Sequence, residues 1–169
     1  MSNSFNHQSF LKAGAEKEQK FANLLVLRNG GVISHSDRST DIKDHIDLFW
    51  TKDNKTFSFD VKGLKKSNRS DINTDSSIHW IELRNVHGDK GWLFGQADYI
   101  AFELETTWCI CPRISLIRSL KGKIDFSNFT TNRDDMFRVY RRKDRLDAIV
   151  KVDSDFLTKV TSSFLIPKE

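Results

Sequence analysis

Acid-x-Lys tripeptides occur four times in the chain: Glu18-x-Lys20, Asp41-x-Lys43, Asp53-x-Lys55 and Asp60-x-Lys62. Acids and lysines are common enough here that the pattern alone carries little, and context separates the four. Only Asp60-x-Lys62 sits in an alternating run, Phe57-Ser58-Phe59-Asp60-Val61-Lys62. In a strand, successive side chains point to opposite faces, so Phe57, Phe59 and Val61 share one side and Ser58, Asp60 and Lys62 the other. Asp60 and Lys62 then lie on one face with α-carbons roughly 6.6 Å apart. In the preceding run Ile46, Leu48 and Trp50 point one way and Asp47 the other. An ordinary hairpin register would bring Asp47 and Asp60 together. Two adjacent carboxylates repel unless a cation or a proton neutralises them. Lys62 offsets one charge, and a hard divalent ion such as Mg²⁺, which takes one or two carboxylates plus waters and phosphate oxygens, suits the remainder.

A third acid comes from the segment before these strands. Ser9 to Leu27 has a helical period, with Leu11, Ala15, Ala22 and Leu25 as the inward stripe and Asn29-Gly30-Gly31 as its stop. Glu18 falls on that stripe, whereas Glu16 falls off it with Lys12, Lys20 and Asn23. An inward acid is costly unless paired or metal-bound, which makes Glu18 the more informative of the two.

The remaining elements follow from turn chemistry and periodicity. Gly31 to Ser36 reads as a strand, Asp37 to Asp44 as a polar loop, and His45 to Thr51 and Thr56 to Lys62 as a hairpin about Asp53-Asn54-Lys55. Gly63 to Ser77 is a polar loop carrying Lys65, Lys66 and Arg69. Strands are expected at Ile78 to Val86, Ala97 to Leu104 and Thr107 to Cys111, and Pro112 opens a helix with Ile114, Leu116, Ile117 and Leu120. Phe137 to Arg142 and Leu146 to Val152 form a late hairpin, and Ser154 to Phe164 a closing helix. The order implies one α/β or α+β domain with a mixed sheet.

Composition agrees with a single folded domain over residues 1–169. Of 169 residues 38% are hydrophobic and 19 are aromatic, which excludes a disordered chain. Cys109 and Cys111 are too few and too close for a disulfide framework and read as structural thiols. No run approaches the ~18 apolar residues of a membrane span. The polar Met1 to His7 lacks the order of a signal peptide, so a soluble, cytoplasmic protein is expected. The net charge of +4 permits a polyanionic partner. It is unevenly spread: Pro112 to Lys151 holds 11 Lys or Arg against 5 acids, a net +6 that leaves −2 elsewhere.

The series Gly14-Ala15-Glu16-Lys17-Glu18 with Leu24-Leu25, then Ile46-Asp47-Leu48, then Phe59-Asp60-Val61-Lys62, resembles the PD-(D/E)xK nuclease superfamily. Its opening helix is similar to that of archaeal-type Holliday-junction resolvases, which carry Gly-x-x-x-Glu followed by Leu-Leu. The resemblance covers about residues 10 to 66; Ile46 stands where the motif has proline, and residues 112 to 169 do not align. It implies a restriction-endonuclease-like αβββαβ core with a mixed central sheet, here followed by a C-terminal hairpin and helix. It also implies a Mg²⁺-dependent DNA endonuclease, with Mn²⁺ as a substitute metal. Asp47 and Asp60 would bind the metal with the carbonyl of Val61, Glu18 would be an outer or second-metal ligand, and Lys62 would position and help deprotonate the attacking water. Junction resolution needs two cuts and so implies a homodimer. The rival is a non-catalytic nucleic-acid-binding or interaction module on the same fold.

Phosphate contacts are expected from Lys65, Lys66 and Arg69 beside the acids, and from Arg138, Arg141, Arg142 and Lys143 on the late hairpin. Trp80, Glu82 and Arg84 share a face that reads as an ordinary exposed sheet surface, and Gln96 as a turn residue. None of the five histidines is assigned catalysis, although His45 could line the site.

Overall fold

A computed structural model describes residues 3–66 and 73–169, with side chains described from Gly14 onward outside that gap. The fold is mixed α+β, with two sheets and four helices among the described residues. Helix α1 (Asn3–Asn29) runs into Gly30 and Gly31, both at positive φ. Gly31 is required sterically as well, because a Cβ there would approach Trp50 Nε1 to 2.6 Å and the Thr51 carbonyl to 2.7 Å. The helix buries Phe21, Ala22, Leu24 and Leu25. Ala15, expected on the inward stripe, is exposed, because the buried face lies toward the C-terminal half of the helix. Leu11 lies outside the described side chains.

Strands β1 (Val32–His35), β2 (Leu48–Lys52) and β3 (Lys55–Lys62) pair antiparallel in chain order. The β2–β3 turn places both Asp53 and Asn54 at positive φ, which twists with the strands and which Asp and Asn tolerate. Beyond them come β4 (Ile78–Arg84), a 3₁₀ turn at Trp92–Phe94, β5 (Tyr99–Glu103) and β6 (Thr107–Pro112). The first sheet has the order β1-β2-β3-β5-β6-β10, where β10 is Phe164–Pro167, with β5 parallel to β3 and β6 antiparallel to β5. A second sheet has the order β4-β9-β8-β7, from β7 (Phe129–Thr130), β8 (Val139–Arg141) and β9 (Ala148–Asp153). The late hairpin is therefore present as the β8–β9 pair.

Three expectations are corrected. Asp37 to Asp44 is not a loop: Arg38–Asp44 is helix α2, capped by Asp37, whose carboxylate accepts from Thr40 N at 2.8 Å. It buries no residue, so no apolar period could announce it. The closing helix is shorter than expected. Helix α4 spans Ser154–Thr158, Ser162 turns at positive φ, and Phe164–Pro167 forms β10 on the edge of β6. The crossover from β3 to the parallel β5 also differs from the αβββαβ expectation: its described residues form β4 and the 3₁₀ turn, with no helix between.

Layering explains the burial pattern. One face of the first sheet packs Leu48, Phe59, Val61, Ala101, Trp108 and Ile110 against Phe21, Ala22, Leu24 and Leu25 of α1. The other packs Ile100, Phe102, Cys109 and Cys111 against Ile81, Val150 and Val152 of the second sheet, with helix α3 (Arg113–Lys121) and α4 closing the layer. Central strands buried on both faces lose polar alternation and read as apolar runs. Ile46 joins this second layer, not the one containing Leu48; regular β2 begins only at Leu48, so strand alternation does not extend back to Ile46. Cys109 and Cys111 are buried free thiols 3.7 Å apart. No described helix is long and apolar enough to cross a membrane.

Candidate active site

Asp47 stands one residue ahead of β2, tied to β3 by its backbone N–H on the Phe59 carbonyl at 2.9 Å. Its carboxylate accepts the Val61 N–H at 2.6 Å. Asp60, on β3 itself, is 1% exposed, and its Oδ1 is ion-paired with the Lys62 ammonium. Its Oδ2 is buried without a hydrogen-bond partner. The hairpin register thus brings Asp47, Asp60 and Lys62 together, as the alternation predicts.

The electrostatics are those of crowded acids. Burial, then the neighbouring Asp60 charge, pushes the Asp47 carboxyl up to about 7, against the opposing effects of Lys62 and the Val61 N–H. Burial also raises the Asp60 carboxyl, with Lys62 opposing. Burial alone would lower the Lys62 ammonium, but Asp60 and Asp47 outweigh it and hold it above its ordinary value. That ammonium also lies 4.9 Å from the centre of the Trp92 ring, a cation–π contact in a water-poor setting.

Glu18 reaches the same cluster from α1. Its carboxyl is raised by burial first and then by the charges of Asp47 and Asp41, with His35 and Lys62 acting the other way. Asp41 was not among the expected site residues. It arrives on α2, and the one local signal for that helix is the capping Asp37 three residues before Thr40. Val61 keeps its side chain in the α1-side core and meets the site through its backbone. Among the described residues no three or more His, Cys, Asp or Glu side chains converge tightly enough to form a ready metal cage. The donors still suit a hard cation: Asp60 presents a buried oxygen with no partner beside a second carboxylate held near neutrality.

The basic residues divide into two groups. Lys65 lines a shallow surface cleft with Lys62, Gly63, Ile78, His79, Trp80 and Phe102. Its ammonium is lowered by packing and by Lys62. Lys66 is exposed next to it, and Arg69 lies outside the described residues. The hairpin residues lie on the second sheet and are partly engaged. Arg142 pairs with Asp147 at 2.7 Å, Arg138 with Asp135 at 3.3 Å and Asn128 at 2.9 Å, and Arg141 lies 3.9 Å over the Phe129 ring. Lys143 is exposed at the turn. The expected run of open cations is thus partly spent on internal contacts. His45 caps α2, and Gln96 is an exposed turn residue whose N–H meets the Asp44 carbonyl at 2.7 Å.

His79, in the wall of the cleft, is 6% exposed and sits 3.0 Å from Ser154 Oγ. The Ser154 hydroxyl donates to the Ser76 carbonyl at 2.5 Å, so the neutral imidazole donates from Nε2. Burial lowers the imidazole from 6.5 to about 4. The folded state therefore refuses a proton that the unfolded chain accepts. The contribution of His79 to stability is complete above about pH 6.5 and is lost as pH falls toward about 4, by up to about 3 kcal/mol. The denaturant-measured stability lead of wild type over His79→Gln, which retains a donor, should shrink by that amount as pH falls across the window; a difference that does not change with pH would contradict this.

Compared with known protein families, curated proteins and solved structures, the chain matches none of the three.

Proposed function

We propose that the chain is a metal-dependent phosphodiesterase that cleaves DNA as an endonuclease on a restriction-endonuclease-like core. One observation carries the reading: two carboxylates share the end of β3 beside a lysine, and one buried carboxylate oxygen has no partner. A protein that wanted only a stable strand end would gain by replacing such a group with an apolar one. The order of α1, three sequential antiparallel strands and a parallel fourth supports the core.

Asp47 and Asp60 would hold Mg²⁺, with Mn²⁺ as substitute, and Glu18 would face it from α1. When bound, the ion acidifies a water and neutralises charge on the scissile phosphate. Lys62 places a fixed positive charge beside that position, favouring hydroxide over water and stabilising the developing phosphorane charge. The Val61 N–H holds Asp47 in orientation. Lys65 and Lys66 offer phosphate contacts along the cleft mouth, and Arg141, Arg142 and Lys143 a second, partly internally engaged basic surface.

The test is a Mg²⁺ cleavage panel of linear duplex, nicked circle, single strand, flap, four-way junction and RNA, run with wild type and Lys62→Met. Wild type should cut DNA, and the variant should lose at least about 10²-fold in rate while remaining folded. A preference for the four-way junction, with a dimer by light scattering, would add the resolvase specialisation. No cleavage of any substrate, with no Mn²⁺ binding by calorimetry, would replace the enzyme with a non-catalytic nucleic-acid-binding or interaction module.

A further inference from the structure

Glu103 ends β5 on the face that meets α1 and is 5% exposed. Its Oε1 accepts from Lys17 Nζ at 2.9 Å and from Lys168 Nζ at 3.1 Å, and its Oε2 accepts from the Leu64 N–H at 3.0 Å. These donors come from three separate segments: α1, the stretch leaving β3, and the residues after β10. Burial works against the charge, but the three donors outweigh it and hold the carboxyl below its ordinary value. Such an acid is fully paired, unlike Asp60.

Its partners are adjacent to the site. Lys17 precedes Glu18 directly, and Leu64 follows Lys62 by two residues. The sheet register sets Phe102 opposite Lys62, which brings Glu103 alongside Gly63. There the Lys17 stem crosses the backbone so closely that a Cβ on Gly63 would approach Lys17 Cγ to 3.0 Å and Glu103 Oε2 to 3.4 Å. Among the described side chains, α1 is otherwise held chiefly by apolar packing around Phe21, Ala22, Leu24 and Leu25. Apolar contacts are non-directional and leave rotation of a helix about its axis soft. A charge-assisted bond to Lys17 removes that freedom, and with about 100° between consecutive residues it also fixes where Glu18 points.

We propose that Glu103 is a positioning residue, pinning the helix that carries Glu18 and the strand end that carries Lys62 to one another so that both face Asp47 and Asp60. The proposal rests on the reading of those four residues as the active site. It acts through Lys17 and Leu64 and touches no substrate.

The experiment uses Glu103→Gln and Lys17→Met, the latter leaving Glu103 bonded to Lys168 and Leu64, with Glu103→Asp as the conservative variant. In metal-free protein, amide hydrogen exchange across residues 14–20 should speed about tenfold in the first two variants, and also at Leu64 in Glu103→Gln, with β6 unchanged. Unaltered exchange overturns the pinning. In calorimetry with Mn²⁺, both variants should bind about fivefold more weakly, with kcat on duplex DNA down about tenfold and KM within about twofold; Glu103→Asp should recover part of each loss. A lower melting temperature with unchanged Mn²⁺ affinity would make Glu103 a purely structural residue and overturn the proposal. In a Glu18→Gln background, Glu103→Gln should weaken Mn²⁺ binding by less than about twofold, and a full additive loss would overturn the route through Glu18. If wild type binds no Mn²⁺, the metal reading fails, and the exchange arm still decides whether Glu103 pins the two elements.

Discussion

Asp60→Asn should abolish Mg²⁺-dependent cleavage, by at least about 10³-fold, and in EDTA above about pH 7, where Asp47 is ionised, the same protein should melt higher than wild type. The two halves share one cause. Asp60 is 1% exposed, its carboxyl is raised by burial, and its Oδ2 has no donor. Lys62 satisfies Oδ1 only. An amide keeps an oxygen for Lys62 and turns an NH₂ toward Asp47, whose carboxylate lies within hydrogen-bonding reach. It removes a buried charge and supplies a donor to a second one. The expected gain is about 2 kcal/mol, or roughly 5 °C in a chain of this size. Loss of rate with gain of stability distinguishes a functional carboxylate from a structural one. An active variant would remove Asp60 from the chemistry, and an inactive variant that melts lower would make it part of the scaffold.

Metal removal should matter most at alkaline pH. In the metal-free fold Asp47 holds its proton up to about 7, against an ordinary 3.8. The folded state therefore binds a proton that the unfolded chain has released, and stability falls as pH rises between those values. At about 1.4 kcal/mol per unit the fall amounts to about 4 kcal/mol above pH 7. Under the proposed reading Mg²⁺ would bind the deprotonated carboxylates, taking over the neutralisation and growing more effective as protons leave. In EDTA the melting temperature of wild type should fall relative to that of Asp47→Asn, which shares the opposing His79 slope, from about pH 4 to about pH 7, and saturating Mg²⁺ should reverse most of that relative fall, with the widest gap at the alkaline end. Superimposed EDTA and Mg²⁺ curves across the range would exclude a metal at this position.

The parts of the site that lie in regular strands were legible because strand alternation is a local rule. Phe57 to Lys62 states its own faces, and the Asp53-Asn54 turn fixes the register that brings Asp47 to Asp60. Glu18 was legible through its helical phase, although the buried stripe lies further along α1 than Ala15 suggests. What stayed hidden is non-local. Helix α2 is polar throughout and is specified by its cap, so Asp41 reached the site unannounced. Glu103 has no local signal, because its partners Lys17, Leu64 and Lys168 are 86, 39 and 65 residues away. Phe164 to Pro167 is apolar enough for the end of a helix, and only the open edge of β6 makes it a strand. The division of the strands into two sheets likewise depends on which faces find cover, and that is settled only in the assembled fold.

The excursion of β4 out of the first sheet has a consequence for how the protein can be cut, grafted or inherited. The strands of the second sheet come from residues 78–84 and 129–153, and those of the first from 32–62, 99–112 and 164–167. The second sheet is therefore nested within the span of the first, so no single break between residues 32 and 167 leaves the first sheet whole, and none parts the two sheets onto separate fragments. The carboxylates at the end of β3 and the surface on β8 and β9 cannot be exchanged as separate modules, and loss of either sheet is loss of both.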